Sequence, residues 1–368
     1  MEKDFGQTIE EIEKDGFEIH SQVDIELDES KVYATPNAIG TGILSISKSL
    51  AEIKPDFLVV YADRFEGFAA VVAGTQMNIP TAHIEGGDIT EGGALDDSVR
   101  HAMTKLAHIH FTTNLQATNR ILAMGESSWR VHTVGFPAID LIKENNYANS
   151  QELVSRFSLD LSRPVLLFTQ HSVTTEFELS EQQIIPSLKA IKNLSEEGIQ
   201  SIITFPNNDV GGRKIIKTIK EFFRESENEN IQIHKSIGRY YYHGILALSQ
   251  AKPRKKVVCV GNSSSGIKET PAFGCPAVNI GSRQAGRLRA DNVIDVDYKE
   301  KEISDAVHLS LEDKTFIKTC KETINPYGIG DAGIKIAKIL SEISVDSKTI
   351  LRKAMTLKGQ VNKEGWFR

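Results

Sequence analysis

The chain has 368 residues, 40% of them hydrophobic and 25% charged, with a net charge of −6; this is ordinary globular composition, with length for two domains and ample material for a core. No apolar run approaches the roughly 20 residues a bilayer span needs, and Met1-Glu2-Lys3-Asp4 opens neither a signal peptide nor a lipidation motif, so a cytoplasmic protein with no membrane partner is expected. The acidic balance argues against nucleic acid as a partner, and three widely spaced cysteines (Cys259, Cys275, Cys320) support neither a disulfide framework nor a zinc cluster and are expected as buried, reduced thiols.

Residues 7–15 read as a helix stopped at Gly16, and residues 17–25 alternate like a strand. A long helix over residues 36–53 comes next. From Asp56 the pattern becomes strand, helix, strand: strands over 57–61, 81–84, 109–112 and 131–134, helices over 65–77, 98–106 and 114–124. A polar stretch from Glu144 to Ser162 reads as a linker. Beyond Pro164 a second series places strands at 165–169, 201–205, 231–234, 256–260 and 277–280, with helices at 181–197, 212–224, 239–249 and 267–273. Short apolar strands alternating with helices predict parallel βαβ units, hence an α/β protein of two doubly wound domains, 1–155 and 156–343. The tail 344–368 carries no clear fold signal; it is expected as a surface helix with a frayed end, with packing back on the first domain as the other possibility.

In such sheets ligands sit outside the carboxyl ends of the strands. Three charge clusters occupy those ends within fifty residues: Ala62-Asp63-Arg64-Phe65-Glu66, His83-Ile84-Glu85-Gly86-Gly87-Asp88 and Asp96-Asp97-Ser98-Val99-Arg100-His101. A single cluster is better read as helix capping; three in succession predict one wall of a site. In the second series Gln170-His171-Ser172-Val173-Thr174-Thr175 comes after a strand, as do Phe205-Pro206-Asn207-Asn208-Asp209, Gly261-Asn262-Ser263-Ser264-Ser265-Gly266 and Gly281-Ser282-Arg283-Gln284. Small residues at a helix start let backbone N–H groups approach an anion, and the Arg283 guanidinium suits phosphate. The glycine-serine loop is neither a dinucleotide fingerprint nor a Walker loop. Together these segments predict a phosphate-and-sugar pocket facing a carboxylate-rich wall.

Those segments, with Thr104-Lys105-Leu106-Ala107-His108 and Asn325-Pro326-Tyr327-Gly328, run in order along nearly the whole chain, which resembles the hydrolysing UDP-N-acetylglucosamine 2-epimerases of sialic and legionaminic acid biosynthesis. The resemblance implies two Rossmann-like domains in a glycosyltransferase-B-like arrangement, a UDP-binding second domain, and release of UDP with a free C2-inverted amino sugar. It implies no cofactor and no metal, and a homo-oligomer, dimer or tetramer. It makes Asp63, Glu85 and Asp96 the acid/base candidates together with His171, and puts Arg64, His83, Arg100, Asn207, Ser263, Ser264, Glu269 and Arg283 on the UDP-sugar. Non-hydrolysing relatives typically carry His-Arg-Arg-Glu-Asn where this chain has His171-Ser172-Val173-Thr174-Thr175, which points to the hydrolysing branch. The chemistry agrees: with no carbonyl beside C2, proton removal needs departure of UDP from C1, and the glycal so formed is then hydrated.

The family's opening strand and its Gly-x-Arg-Ala-Glu-Tyr type of loop have no counterpart here, and residues 5–9 resemble sequence beyond that loop. Loss of an interior strand of the first sheet would expose ladder groups and apolar surface. The alternatives left open are a non-hydrolysing epimerase, a glycosyltransferase of the same fold, and a nucleotide-sugar-binding remnant with impaired catalysis. The Tyr240-Tyr241-Tyr242 run, if it lines the cleft, favours UDP-2,4-diacetamido-2,4,6-trideoxyglucose over UDP-GlcNAc as substrate; the alternative is an aromatic helix start packed on the core.

Overall fold

Two fully parallel sheets organise the computed structural model, which describes residues 9–25, 33–90, 95–207, 209–224, 228–345 and 347–354. The expected helix residues 7–8, the loop residue Asn208 and Lys358 of the tail lie outside them. In the first sheet β1 (Leu58–Tyr61), β2 (Thr81–Ile84), β3 (Ile109–Thr112) and β4 (Val131–Thr133) lie side by side in that order. The second sheet is built from β5 (Val165–Thr169), β6 (Gln200–Thr204), β7 (Ile231–His234), β8 (Val257–Gly261), β9 (Ala277–Ile280) and β10 (Val293–Val296), in the order β10-β9-β8-β5-β6-β7. Parallel neighbours cannot be joined by a tight turn, so helices cross over between them and cover the sheet. The α/β class and the two sheets are as expected.

The strands of the second sheet read as continuous apolar runs because β5, β6, β8 and β9 are buried along their whole length. Leu166, Phe168, Val258 and Val260 point to one face and pack on Ile184, Leu188 and Ile191; Val165, Leu167, Val257 and Cys259 point to the other and pack on Ile245 and Leu246. The strand order turns around between β5 and β8, which are adjacent although three elements apart in the chain's strand sequence. Their close approach depends on Gly261, whose φ is 129° and where a Cβ would collide with the Thr169 carbonyl.

Some expectations need correcting. Residues 17–25 form no strand; they run along the helix Ala34–Ile53, with Ile25 against Gly42 and Ser21 Oγ 3.0 Å from Ser49 Oγ, and meet no ladder partner among the described residues. On the other side, β1 is the edge of its sheet, and Val59 and Tyr61 are about half exposed. The single helix expected at 267–273 is two short ones, Ser265–Lys268 and Thr270–Phe273, because Pro271 has no N–H to continue the first. Past β10 the helices Glu300–Glu312, Lys314–Glu322 and Ala332–Glu342 were not anticipated. The last of them returns to the first sheet: Ala332 and Ile336 share a core with Ala82, Ile109, Phe111 and Val134, so the crossing comes before residue 343.

The start of the tail is anchored. Ile350 is fully buried in that same core. The buried Arg130 guanidinium donates to the carbonyls of His108, Thr349, Ile350 and Arg352 at 2.8–3.1 Å. Lys353 Nζ donates to the carbonyls of Thr104, Lys105 and Ala107 at 2.6–2.9 Å and lies 3.0 Å from the buried Glu126, which also pairs with Lys105 and His110. Burial alone would raise the Glu126 carboxyl, but hydrogen bonds from His110 and Lys105 and the Lys353 charge hold it down at about 2. Burial keeps His110 neutral, at about 4, despite its bond to Glu126. The three cysteines are buried free thiols, as expected. Among the described residues no helix is long and apolar enough to cross a membrane.

Candidate active site

β1 and β2 each end on a turn in which a non-glycine adopts the left-handed conformation. Ala62 has φ 61° and Glu85 φ 68°, and these two turns project Asp63 and the Glu85 side chain from the carboxyl edge of the first sheet. His83 holds the first turn from behind, its Nε2–H donating to the Ala62 carbonyl at 2.7 Å and its Nδ1 lying 3.3 Å from Thr104 Oγ1. Its side chain is fully buried, and burial pulls it down to about 4, so it is a neutral brace. Arg100 is likewise buried: it ion-pairs with Asp63 and donates at 2.8 Å to Asp97 Oδ1 and to the Asp88 carbonyl. The resemblance puts both His83 and Arg100 on the UDP-sugar. In this structure both side chains are buried, His83 against the Ala62 turn and Arg100 against Asp63, a depth that residue type alone does not reveal.

Asp96 is partly exposed on the cleft side. Burial and the Asp209 carboxylate raise it above the usual aspartate range, with Arg283 and Arg64 pulling the other way. Asp209 in turn joins the two domains, with Arg64 Nη1 3.9 Å and Arg283 Nη2 3.5 Å from its oxygens. Arg64 also pairs with Glu66 at 3.2 Å.

The second wall lies at the β5/β8 turning point of strand order, where an open α/β sheet opens a crevice. His171 comes just after β5 and Asn262 just after β8. They clasp each other, His171 N donating to Asn262 Oδ1 at 2.6 Å and Asn262 Nδ2 to the His171 carbonyl at 2.9 Å. His171 Nδ1 lies 3.1 Å from the Asn207 backbone nitrogen. The same Nδ1 lies 3.1 Å from Asn207 Oδ1, which can only accept, so the two contacts call for opposite tautomers and Asn207 holds the ring in place under either. Burial and the Arg283 charge lower His171 to about 3, so this imidazole is neutral and offers a hydrogen bond, not a charge. Arg283 is fixed by the Asn262 carbonyl at 3.2 Å. Ser263 and Ser264 precede the short helix Ser265–Lys268, half-buried at the same edge.

Beside them opens a cavity of about 340 Å³ lined by Asn207, Lys235, Ser236, Ile237, Arg239, Tyr242, His243 and Glu269, among others. Glu269 is locked at its wall by His243 Nε2 at 2.7 Å and Ser265 Oγ at 2.8 Å. Of the tyrosine run only Tyr242 lines this cavity; Tyr241 packs edge-on against Phe157 and Tyr240 bonds Glu152 at 3.1 Å. The core alternative holds for Tyr241 and Tyr242, both packed against the second sheet's core, and not for the exposed Tyr240. Lys235, Ser236 and His243 were missed from sequence, although Lys235 and Ser236 come directly after β7, a strand end to which no motif was assigned. Lys268 was missed as well: it crosses from the second domain to ion-pair with Glu85 and, at 2.7 Å, with Asp88.

The arrangement thus sets carboxylates on one side of a cleft and neutral or cationic donors on the other. A family model described as UDP-N-acetylglucosamine 2-epimerase matches residues 1–341. The chain is 32% identical to a Neisseria meningitidis UDP-N-acetylglucosamine 2-epimerase over 83% of this chain and 76% of that protein. It is 31% identical to a Legionella pneumophila UDP-N,N'-diacetylbacillosamine 2-epimerase (hydrolyzing) over 94% of this chain and 86% of that one. The fold is similar to the crystal structure of a Neisseria meningitidis UDP-GlcNAc 2-epimerase bound to UDP-GlcNAc, with a TM-score of 0.72, 20% identity and coverage of 84% of this chain and 82% of that chain. With a matching fold, an ordered set of strand-end motifs and these similarities along its length, the chain belongs to the UDP-N-acetylglucosamine 2-epimerase family.

Proposed function

We propose that the protein is a hydrolysing 2-epimerase that converts a UDP-2-acetamido sugar to UDP and the free C2-inverted sugar. The observation that carries this reading is the meeting of Arg64 and Asp96 of the first wall with Asp209 and Arg283 of the second, with Asp63, Glu85 and His171 at the neighbouring strand ends. In the first step a carboxylate takes the C2 proton while the C1–O bond breaks; the C2–H electrons become the C1–C2 double bond and UDP leaves with the C1–O pair. Water then adds hydroxyl at C1 and a proton is returned to C2 from the opposite face. Asp63, Glu85 and Asp96 supply the acid/base groups, Asp96 being the one whose environment favours carrying a proton. The His171 ring, Arg283, Arg64 and the Ser263-Ser264 turn stabilise charge on the departing diphosphate. Glu269, Asn207 and the cavity around them take the nucleoside end. His171-Ser172-Val173 in place of His-Arg-Arg favours hydrolysis over return of UDP to the sugar.

Incubation in D2O tests this. The expected products are UDP and a free 2-acetamido sugar of manno configuration carrying one deuterium at C2; UDP-ManNAc as product would assign the non-hydrolysing reaction, and transfer to an acceptor with C2 unlabelled a glycosyltransferase. For substrate the reading favours UDP-2,4-diacetamido-2,4,6-trideoxyglucose, supported by the Legionella relative's name; equal or faster turnover of UDP-GlcNAc overturns that preference. Glu269→Ala should weaken UDP binding about 10- to 100-fold by calorimetry, since it removes a charged acceptor and frees His243 and Ser265. Unchanged affinity would move the nucleoside elsewhere.

A further inference from the structure

Lys268 is the last residue of the helix Ser265–Lys268, and only 1% of its side chain is exposed. Its ammonium leaves its own domain and enters the first, where it ion-pairs with Glu85 and lies 2.7 Å from Asp88 Oδ2. The Phe136 and Tyr327 rings close over it at 5.0 and 5.4 Å, and Asn325 holds its carbonyl at 2.8 Å. A buried ammonium stripped of partners costs several kcal/mol, so this placement is stable only with the first domain's 85–90 loop docked. Three further contacts dock that loop: Arg287 Nε donates to the Ile89 carbonyl at 3.2 Å, Arg287 Nη2 to Thr90 Oγ1 at 3.5 Å and Gly286 N to the Thr90 carbonyl at 2.9 Å. Lys268 is therefore the contact that ties docking directly to a carboxylate of the reaction.

We propose that Lys268 is a positioning residue that fixes the orientation of the Glu85 carboxylate for the reaction, and does so only while the two domains are docked. This rests on the reading of Glu85 as an acid/base group. Lys268 itself touches no substrate. Glu85 sits on a left-handed backbone turn, so its side chain has few ways to point, and the ammonium selects among them.

The test compares Lys268→Met, Glu85→Gln and the double variant in the full chain, measuring kcat, KM and UDP affinity. Lys268→Met should lower kcat about a hundredfold, as a misplaced group does, with KM and UDP affinity held within about threefold. The double variant should be no slower than Glu85→Gln alone, because both changes act through one group. Native kcat in Lys268→Met, or losses that multiply in the double variant while Glu85→Gln alone is slow, would overturn the proposal and leave the role of Glu85 standing. Full activity in Glu85→Gln would overturn that role and the proposal with it. Should Lys268→Met fail to melt cooperatively, Lys268→Gln, one bond shorter and uncharged but still an N–H donor, carries the same comparison.

Discussion

Asparagine at position 63 should lower turnover about a thousandfold while leaving UDP affinity nearly unchanged. Removing a positioned acid/base group typically takes away a factor of about 10² to 10⁴, and Asp63→Asn keeps shape and hydrogen-bonding capacity while losing the proton acceptor. The variant should fold, because Arg100, the buried partner of Asp63, retains Asp97 and the Asp88 carbonyl at 2.8 Å. The nucleoside cavity lies in the other domain and does not use Asp63. Steady-state release of UDP and calorimetry with UDP measure the two quantities on one preparation. Native turnover would remove Asp63 from the acid/base set; a parallel loss of UDP affinity would mean that it binds nucleotide.

The second large effect is on stability and concerns the far side of the first domain. Glu126→Gln should reduce unfolding free energy by roughly 3–5 kcal/mol at neutral pH, the usual effect of removing one partner from a buried ionic cluster, since Lys353 and Lys105 would face no carboxylate. The sign with pH comes from the directions of the shifts. Glu126 is depressed to about 2, so its contribution is complete above the unfolded value near 4.5 and is lost as pH falls toward 2. His110 is held neutral, at about 4, so acid also favours the unfolded chain, which takes a proton near 6.5. The native chain should therefore lose stability progressively below about pH 6.5, and the gap to Glu126→Gln should narrow below about pH 4.5. Urea midpoints of both proteins at about pH 7, 5 and 3.5 check this; a constant gap across that range would exclude the assigned role of Glu126.

The strand-end positions of the candidate site were legible in the sequence because strand ends are legible: an apolar run of four or five residues stops, and the residues just beyond it lie at the carboxyl edge of the sheet. Asp63, Glu85, His171, Asn262 and Arg283 all sit just beyond such runs. Depth was not legible. His83 and Arg100 have the chemistry of ligand contacts but are buried, a depth that residue type alone does not reveal. Lys268 escaped notice for the opposite reason. One lysine in a four-residue helix reads as solvent-exposed, and its meaning depends on a second domain arriving opposite it. The alternation of residues 17–25 was real, but alternation specifies a face and not a partner, and among the described residues that segment has none to pair with. The helix Ala332–Glu342 returns to a domain that ended nearly two hundred residues earlier, information that local periodicity does not hold.

Ala62 and Glu85 also bear on how this protein responds to selection. Each holds a left-handed conformation that disfavours a side chain by about 1–2 kcal/mol, so glycine at either place relieves local tension. At position 62 the same change gives the segment carrying Asp63 more freedom, and at 85 it deletes the carboxylate outright. A thermostability screen of this chain that reads only heat resistance will collect those glycines and enrich sturdier, slower proteins, whereas a screen that reads product will hold the alanine and the glutamate in place.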